Sequence, residues 1–320
     1  MFQYIVRRIL WGIAMLFIVS AVVFLIFYIL PSADPAVLRA GRNAGPAQIA
    51  QIRHSLGLDQ PVWRQYLNYM GQVFLHFNFG YSYQYNVPVR QLILNRLPAT
   101  IWLVTGAVII WLSVGLTIGI ISAIRRRSIL DRTTMTGSLA LISAPVFWLG
   151  LVSLYLFADD IGVWKIFPGQ GAFASANTPL QKAEAMILPW LVLAAATSAV
   201  YARYMRASMI DTMSEDYIRT ARAKGLPERT VIRRHAVRSA ITPIVTLVGL
   251  DVGTLLAGNA ILTETVFNIP GVGRLLYNAI GVSDLTVIQG ITLFGAFFIV
   301  FFNLVVDIGY AYLDPRVRYS

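Results

Sequence analysis

Six stretches of about 20 or more residues, almost free of charge, divide this chain into membrane-length units. They run over roughly residues 9–30, 99–124, 135–158, 185–204, 240–262 and 286–310. As helices rising 1.5 Å per residue, each is long enough to cross a hydrocarbon layer of about 30 Å. One such run could be a buried helix of a soluble enzyme, but six with the charges held in the gaps argue against that reading. Composition agrees: 57% hydrophobic residues, 13% charged and a mean hydropathy of +0.65 exclude a water-soluble domain as the main content. The expected fold class is all-α, a polytopic membrane protein of six transmembrane helices with an extra helical segment after the first span.

Arg7 and Arg8 precede the first run as they would in a secretory signal. The run is too long for a signal core, and no small-x-small cleavage site precedes Pro31. A retained first helix is expected. With the N-terminus inside, seventeen of the 26 Lys and Arg fall on inner pieces: Arg7 and Arg8, Arg125–Arg127 with Arg132, nine between Arg203 and Arg238, and Arg316 with Arg318. Six of the remaining nine lie in the 31–98 segment, whose length makes it a weak determinant. Both termini are therefore expected on the cytoplasmic side. A pI near 10.1 then fits anionic lipid and an acidic partner face, with nothing further to support nucleic-acid binding.

The absence of cysteine excludes disulfides and thiolate metal sites. His54, His76 and His235 lie far apart with no H-E-x-x-H, so a zinc hydrolase lacks ligands. No metal or cofactor is expected on this chain.

In the 31–98 segment, Pro46 can start a helix with Ile49, Ile52 and Leu56 on one face and Gly57 as its stop. Pro61 can start another, with Trp63, Leu67, Met70 and Phe74 on one side. A Gly/aromatic tract follows over 77–85. The expectation is a helical hairpin against the outer ends of the spans, its tyrosines forming an interfacial belt, which could also dock an external protein. Within the spans lie Gly106, Gly115, Gly119, Pro145, Pro189, Pro243, Gly249, Gly253 and Gly258. The pairs Gly115/Gly119 and Gly249/Gly253 permit close helix approach. Together they favour a bundle whose helices bend and repack.

The inner loop 205–239 is the most informative polar piece. Ser214 can cap a helix with Glu215 and Asp216 in its first turn; Arg219, Arg222 and Lys224 crowd its end, Gly225 can take the left-handed stop, and Pro227 blocks continuation. Tyr217, Ile218 and Ala221 make a small apolar face. A helix of about ten residues is marginal alone, so this one is expected to order only when docked on a partner. The stretch 228–239 alternates Val231, Ile232 and Val237 with Arg229, Arg233, Arg234 and Arg238, the pattern of an interfacial helix feeding the fifth span.

The run Asp216–Pro227, continuing through Arg234–Pro243, resembles the cytoplasmic signature of ABC importer permeases, closest to the dipeptide/oligopeptide/nickel branch. Arg7-Arg8 and Leu30–Pro35, Leu56–Tyr66 and Arg96–Thr100, then Glu264–Gly273 and Asp314–Arg318, match the rest of that pattern in order. Where the general loop has Glu-Ala-Ala and then Gly, this chain has Arg219, Thr220, Ala221 and Gly225; the closing Pro243 lies eighteen residues further on, as in the peptide branch.

The resemblance implies a type I ABC importer permease fold and a pore-forming subunit in a bacterial inner membrane. Its implied partners are a second homologous permease, two ATP-binding subunits and an extracytoplasmic substrate-binding protein. The residues nominated for coupling to the ATPase are Glu215, Asp216, Tyr217, Ile218, Arg219, Ala221, Arg222, Ala223, Lys224 and Gly225. The implied division is 1–30 (first span), 31–98 (outer segment), 99–310 (five-helix core with the coupling loop) and 311–320 (tail). ATP and Mg would sit on the partners. A phosphate-binding loop needs Gly-Lys then Ser or Thr, and none of Lys165, Lys182 and Lys224 follows a glycine. The implied cargo is a peptide, with nickel chelates, glutathione or other small solutes as alternatives. The competing class is an ion-coupled secondary transporter, which places charge in mid-span; Asp251 fits, with Asp307 near a helix end. Asp251 and Asn259 are the candidate pathway residues, Asp251 with Thr254 or Asn259 as the hydrogen-bond partner at hand.

Overall fold

The computed structural model describes residues 2–29, 36–37, 45–55, 57–82 and 84–313. Of the sequence runs above, Leu30–Pro35, Leu56 and Asp314–Arg318 lie outside the described residues. The chain is helical nearly throughout, apart from a two-residue hairpin pairing Tyr81–Ser82 with Val87–Pro88. In order, α1 is Phe2–Phe24, extended by a π-turn to Ile29; α2 is Pro46–Ser55; α3 is Val62–Met70, extended by a π-turn to Leu75; and α4 is Val89–Ile124. Then come α5 Ile129–Ser143, α6 Val146–Phe157, α7 Pro179–Met213, α8 Asp216–Ala223 and α9 Thr242–Thr254 with its π-turn to Asn259. The last three are α10 Ile261–Val266, α11 Val272–Gly281 and α12 Leu285–Leu313.

The central beam is α4 beside α7, running parallel. Gly115 and Gly119 make this possible: a Cβ on Gly115 would stand 2.8 Å from the Ser198 carbonyl, and one on Gly119 2.7 Å from that of Ala202. Trp111 and Tyr201 fill the space between the helices, fully buried, with ring centroids 6.0 Å apart. Further along, the Trp190 indole N–H donates to the Trp102 carbonyl at 2.9 Å. The start of α7 is set by local chemistry: Pro179 opens it, and Thr178 and Gln181 exchange side-chain and backbone bonds in a capping box. On the other side α12 lies antiparallel to α9, where Gly249 faces Val306 and Gly253 faces Phe302, and antiparallel to α1 through Arg8–Asp307 and Gly12–Val300.

Five helices are long and apolar enough to span a membrane, and a sixth span arises if α5 and α6 count as one. The run 135–158 is thus not the straight helix its composition implies: it breaks at Ala144–Pro145 with a bend of 101°. Pro145 lacks an N–H and pushes Ala144 to an extended conformation, ψ 126°, which no helix can pass through. The fifth run stops early too. Gly258 adopts φ 109°, open only to glycine, and the chain turns there into α10. Conversely α4 begins at Val89, so the last ten residues assigned to the outer segment continue the second span as helix.

The turn from α10 to α11 wraps a carboxylate. Glu264 is fully buried; its Oε1 accepts the Thr100 hydroxyl at 2.7 Å and its Oε2 the Arg274 N–H at 2.8 Å. Thr100 in turn accepts the Val272 N–H at 2.9 Å. The Glu264 carboxyl, the Thr100 hydroxyl and the Val272 and Arg274 N–H groups are thus partnered on leaving water, as burial demands.

The 45–88 segment departs from expectation in position. Helices do follow Pro46 and Pro61, and Gly57 is left-handed at φ 66°. Trp63, Leu67, Met70 and Phe74 nevertheless do not share one packed side. Met70 is buried against Ser20, Phe74 stacks on Phe17 at 6.0 Å, and Trp63 and Leu67 stay exposed. Phe17 lies twelve residues, about 18 Å along the helix, before Ile29. The segment therefore runs down the side of α1 rather than capping its end, because Ser20, Phe17 and Phe24 offer it a polar and aromatic seat.

Candidate coupling site and membrane pathway

At the basic end of α7 the chain reverses through α8. The Ser214 hydroxyl donates back to the Asp211 carbonyl at 2.7 Å, so it closes α7 rather than capping α8, whose N-cap is Glu215 without a side-chain bond. Asp216 occupies the first turn, where the helix dipole favours an anion. Gly225 is left-handed at φ 76°, and Pro227 opens the next turn.

Ile218 and Ala221 are buried inside this same chain, in one cluster with Met209, Val231, Ala236 and Ala240. This corrects two expectations. The helix is ordered by its own neighbours and needs no partner for that. Ala221 is covered already, so a groove on another protein does not close over it. The 228–239 stretch likewise turns Val231 and Ala236 into the bundle, through a π-turn at Val231–Ala236, instead of resting them on lipid. Eight of the ten nominated coupling residues remain on the surface: Glu215, Asp216, Tyr217, Arg219, Arg222, Ala223, Lys224 and Gly225.

Two ion pairs fix this corner, and the sequence reading assigned neither. Arg222 grips Glu228 with two bonds, Nη2 to Oε1 at 2.7 Å and Nε to Oε2 at 3.1 Å, across the Gly225–Pro227 turn. The guanidinium holds the Glu228 carboxyl below the usual carboxylate range, and the carboxylate raises Arg222. Two turns back from the end of α7, Arg206 pairs bidentately with Asp131 at 2.6 and 2.8 Å. Asp131 is 4% exposed and also accepts the Arg127 N–H at 2.9 Å. The Ser128-x-x-Asp131 spacing, a helix-start signature, was the available signal for Asp131.

In the membrane interior, Asp251 is half-buried on α9 and accepts the Tyr201 hydroxyl at 2.6 Å. Thr254 bonds only the backbone carbonyl of Asp251, and Asn259 is exposed eight residues further on, so neither is the expected side-chain partner. Among the described residues no group of three His, Asp or Glu side chains could hold a metal.

Residues 115–319 match the family described as the binding-protein-dependent transport system inner membrane component, and residues 1–104 match that family's N-terminal region. The chain belongs to this family. It is similar to the glutathione transport system permease protein GsiC of Escherichia coli strain K12, 41% identical over 320 residues and all of both chains. A Brucella abortus protein named "Putative peptide transport system permease protein" is 40% identical over 316 residues, 99% of each chain. The protein is accordingly a multi-pass inner-membrane permease subunit of an ABC importer, a transport subunit working with a binding protein.

Proposed function

We propose that this permease imports short peptides received from an extracytoplasmic binding protein, driven by two ATP-hydrolysing subunits that seat on the exposed face of α8. It pairs with a second permease, and both termini face the cytoplasm; ATP and Mg are held by the partners. The observation that carries this reading is the geometry of α8. It presents Tyr217, 44% exposed, with Arg219 and Lys224, while Ile218 and Ala221 anchor it to the bundle that would move. A partner gripping the outward face would thereby pull on the core. Peptide cargo is supported by the names of the relatives, one of which transports glutathione, itself a tripeptide. Asp251 would then offer a peptide ammonium the carboxylate oxygen that Tyr201 leaves open.

The test is uptake by the importer reconstituted from all subunits. The double substitution Tyr217→Ala with Arg219→Glu should abolish ATP-driven uptake of peptide while leaving membrane levels and melting behaviour of the permease unchanged. Uptake at the wild-type rate would refute the seat on α8. Uptake that follows an ion gradient without ATP would favour the secondary-transporter reading instead.

A further inference from the structure

A groove of about 990 Å³ lies between α1, α9 and α12 at the basic end of the bundle. Its walls change character with depth. Arg7, Arg8 and Asp307 ring the mouth, with Arg8 bonded to Asp307 at 2.9 Å. Asn303 lies one turn deeper on α12. Beyond it the walls are apolar, through Trp11, Met15 and Ile299 to Val19 and Ala296. Trp11 and Met15 are 62% and 56% exposed.

Two lengths identify what fits. From Arg7 to Val19 the groove follows twelve residues of α1, about 18 Å, and from Asp307 to Ala296 eleven residues of α12, about 16 Å. Both match one leaflet of hydrocarbon, half of about 30 Å. The order of chemistry, charge then amide then alkyl wall, is that of a phospholipid read from headgroup to chain end. Among the described residues that line the groove, two arginines face one aspartate, an excess of positive charge that complements a phosphodiester. A zwitterionic headgroup would bring an ammonium with it and weaken that match.

We infer that this groove is a binding site for one phospholipid with a net-negative headgroup, its phosphate at Arg7 and Arg8 and an acyl chain along Trp11, Met15 and Ile299. The lipid seals α1 to the α9–α12 pair, of which α1 meets α12 directly where Gly12 faces Val300. The leaflet is the one that holds the N-terminus, so the site does not depend on which side of the membrane that is.

The experiment is native mass spectrometry of the full chain, released from mild detergent after incubation with equimolar phosphatidylglycerol and phosphatidylethanolamine. Wild type should retain one phosphatidylglycerol in about fivefold excess over phosphatidylethanolamine. Arg7→Gln should bring the two lipids close to parity, and Met15→Trp, which fills the groove, should remove the retained lipid altogether. If Met15→Trp fails to elute as folded protein, Val19→Phe makes the same test. An unchanged phosphatidylglycerol preference in Arg7→Gln, or full retention in the filled groove, overturns the site. So does efficient cross-linking of Met15→Cys to the second permease in the assembled importer, since the groove would then hold a protein helix.

Discussion

Thr100→Val should be among the most damaging near-isosteric changes in the molecule. The hydroxyl accepts the Val272 N–H and donates to Glu264, and all three residues are fully buried. Valine keeps the shape and the β-branch but can do neither. The Val272 N–H then stands unpaired at about 1–3 kcal/mol, and the Glu264 carboxyl loses a bond of about 0.5–3 kcal/mol. The total, about 1.5–6 kcal/mol, should lower the apparent melting temperature of the detergent-solubilised permease by about 3–24 °C. Thr100→Ser retains both bonds and gives up one methyl, about 0.8 kcal/mol, so it should fall by only a few degrees. The assay is tryptophan-fluorescence melting checked by size-exclusion at each temperature. A valine variant melting within about 2 °C of wild type, or a serine variant falling as far as valine, would refute the reasoning.

Ala221→Asp places an unpaired carboxylate at a site 7% exposed, at a cost of several kcal/mol, so permease levels in membranes should drop whether or not the ATPase subunits are co-expressed. Glu228→Gln removes one arm of an exposed pair worth about 0.2–1 kcal/mol. Because the folded Glu228 is held below its unfolded value near 4.5, the pair should stabilise the loop above that pH and fade as pH falls further. Amide exchange of residues 216–226, corrected for intrinsic rate, should show this loss in wild type and none in the glutamine variant. Asp251→Asn keeps the Tyr201 bond but not the charge; uptake of free peptides should fall more than uptake of amine-blocked ones, and an equal fall denies Asp251 a role in attracting the ammonium. Trp63→Cys should react with an impermeant thiol reagent in intact spheroplasts and Arg229→Cys only after lysis, and the reverse pattern would invert the proposed orientation.

The sequence carried the spans because hydrophobic length is a one-dimensional property, and it carried Gly57, Gly225, the starts at Pro46 and Pro61 and the stop before Pro227 because these act within a few residues. It showed Pro145 inside a span without showing a 101° bend, since a proline in lipid either kinks or breaks a helix depending on what its neighbours can satisfy. The apolar faces of 217–221 and of 231–237 were both visible, one assigned to a partner and the other to lipid. Periodicity marks a face and leaves its counterpart open; here the two faces cover each other. The links Asp131–Arg206, Tyr201–Asp251 and Thr100–Glu264 join residues 75, 50 and 164 apart, a distance at which no local pattern reports pairing.

The Asp131–Arg206 pair has a mechanical meaning. The α4–α7 beam is bound to itself at two levels, by the glycine contact and by the Trp190–Trp102 bond, so it would tilt as one body. Arg206 is where that body is pinned to α5, seven residues from the α8 end of α7 and 27 from Pro179. These are lever arms of about 10 and 40 Å on a common fulcrum. A push of about 1 Å delivered at α8 would emerge at the far face of the membrane roughly fourfold larger and in the opposite direction.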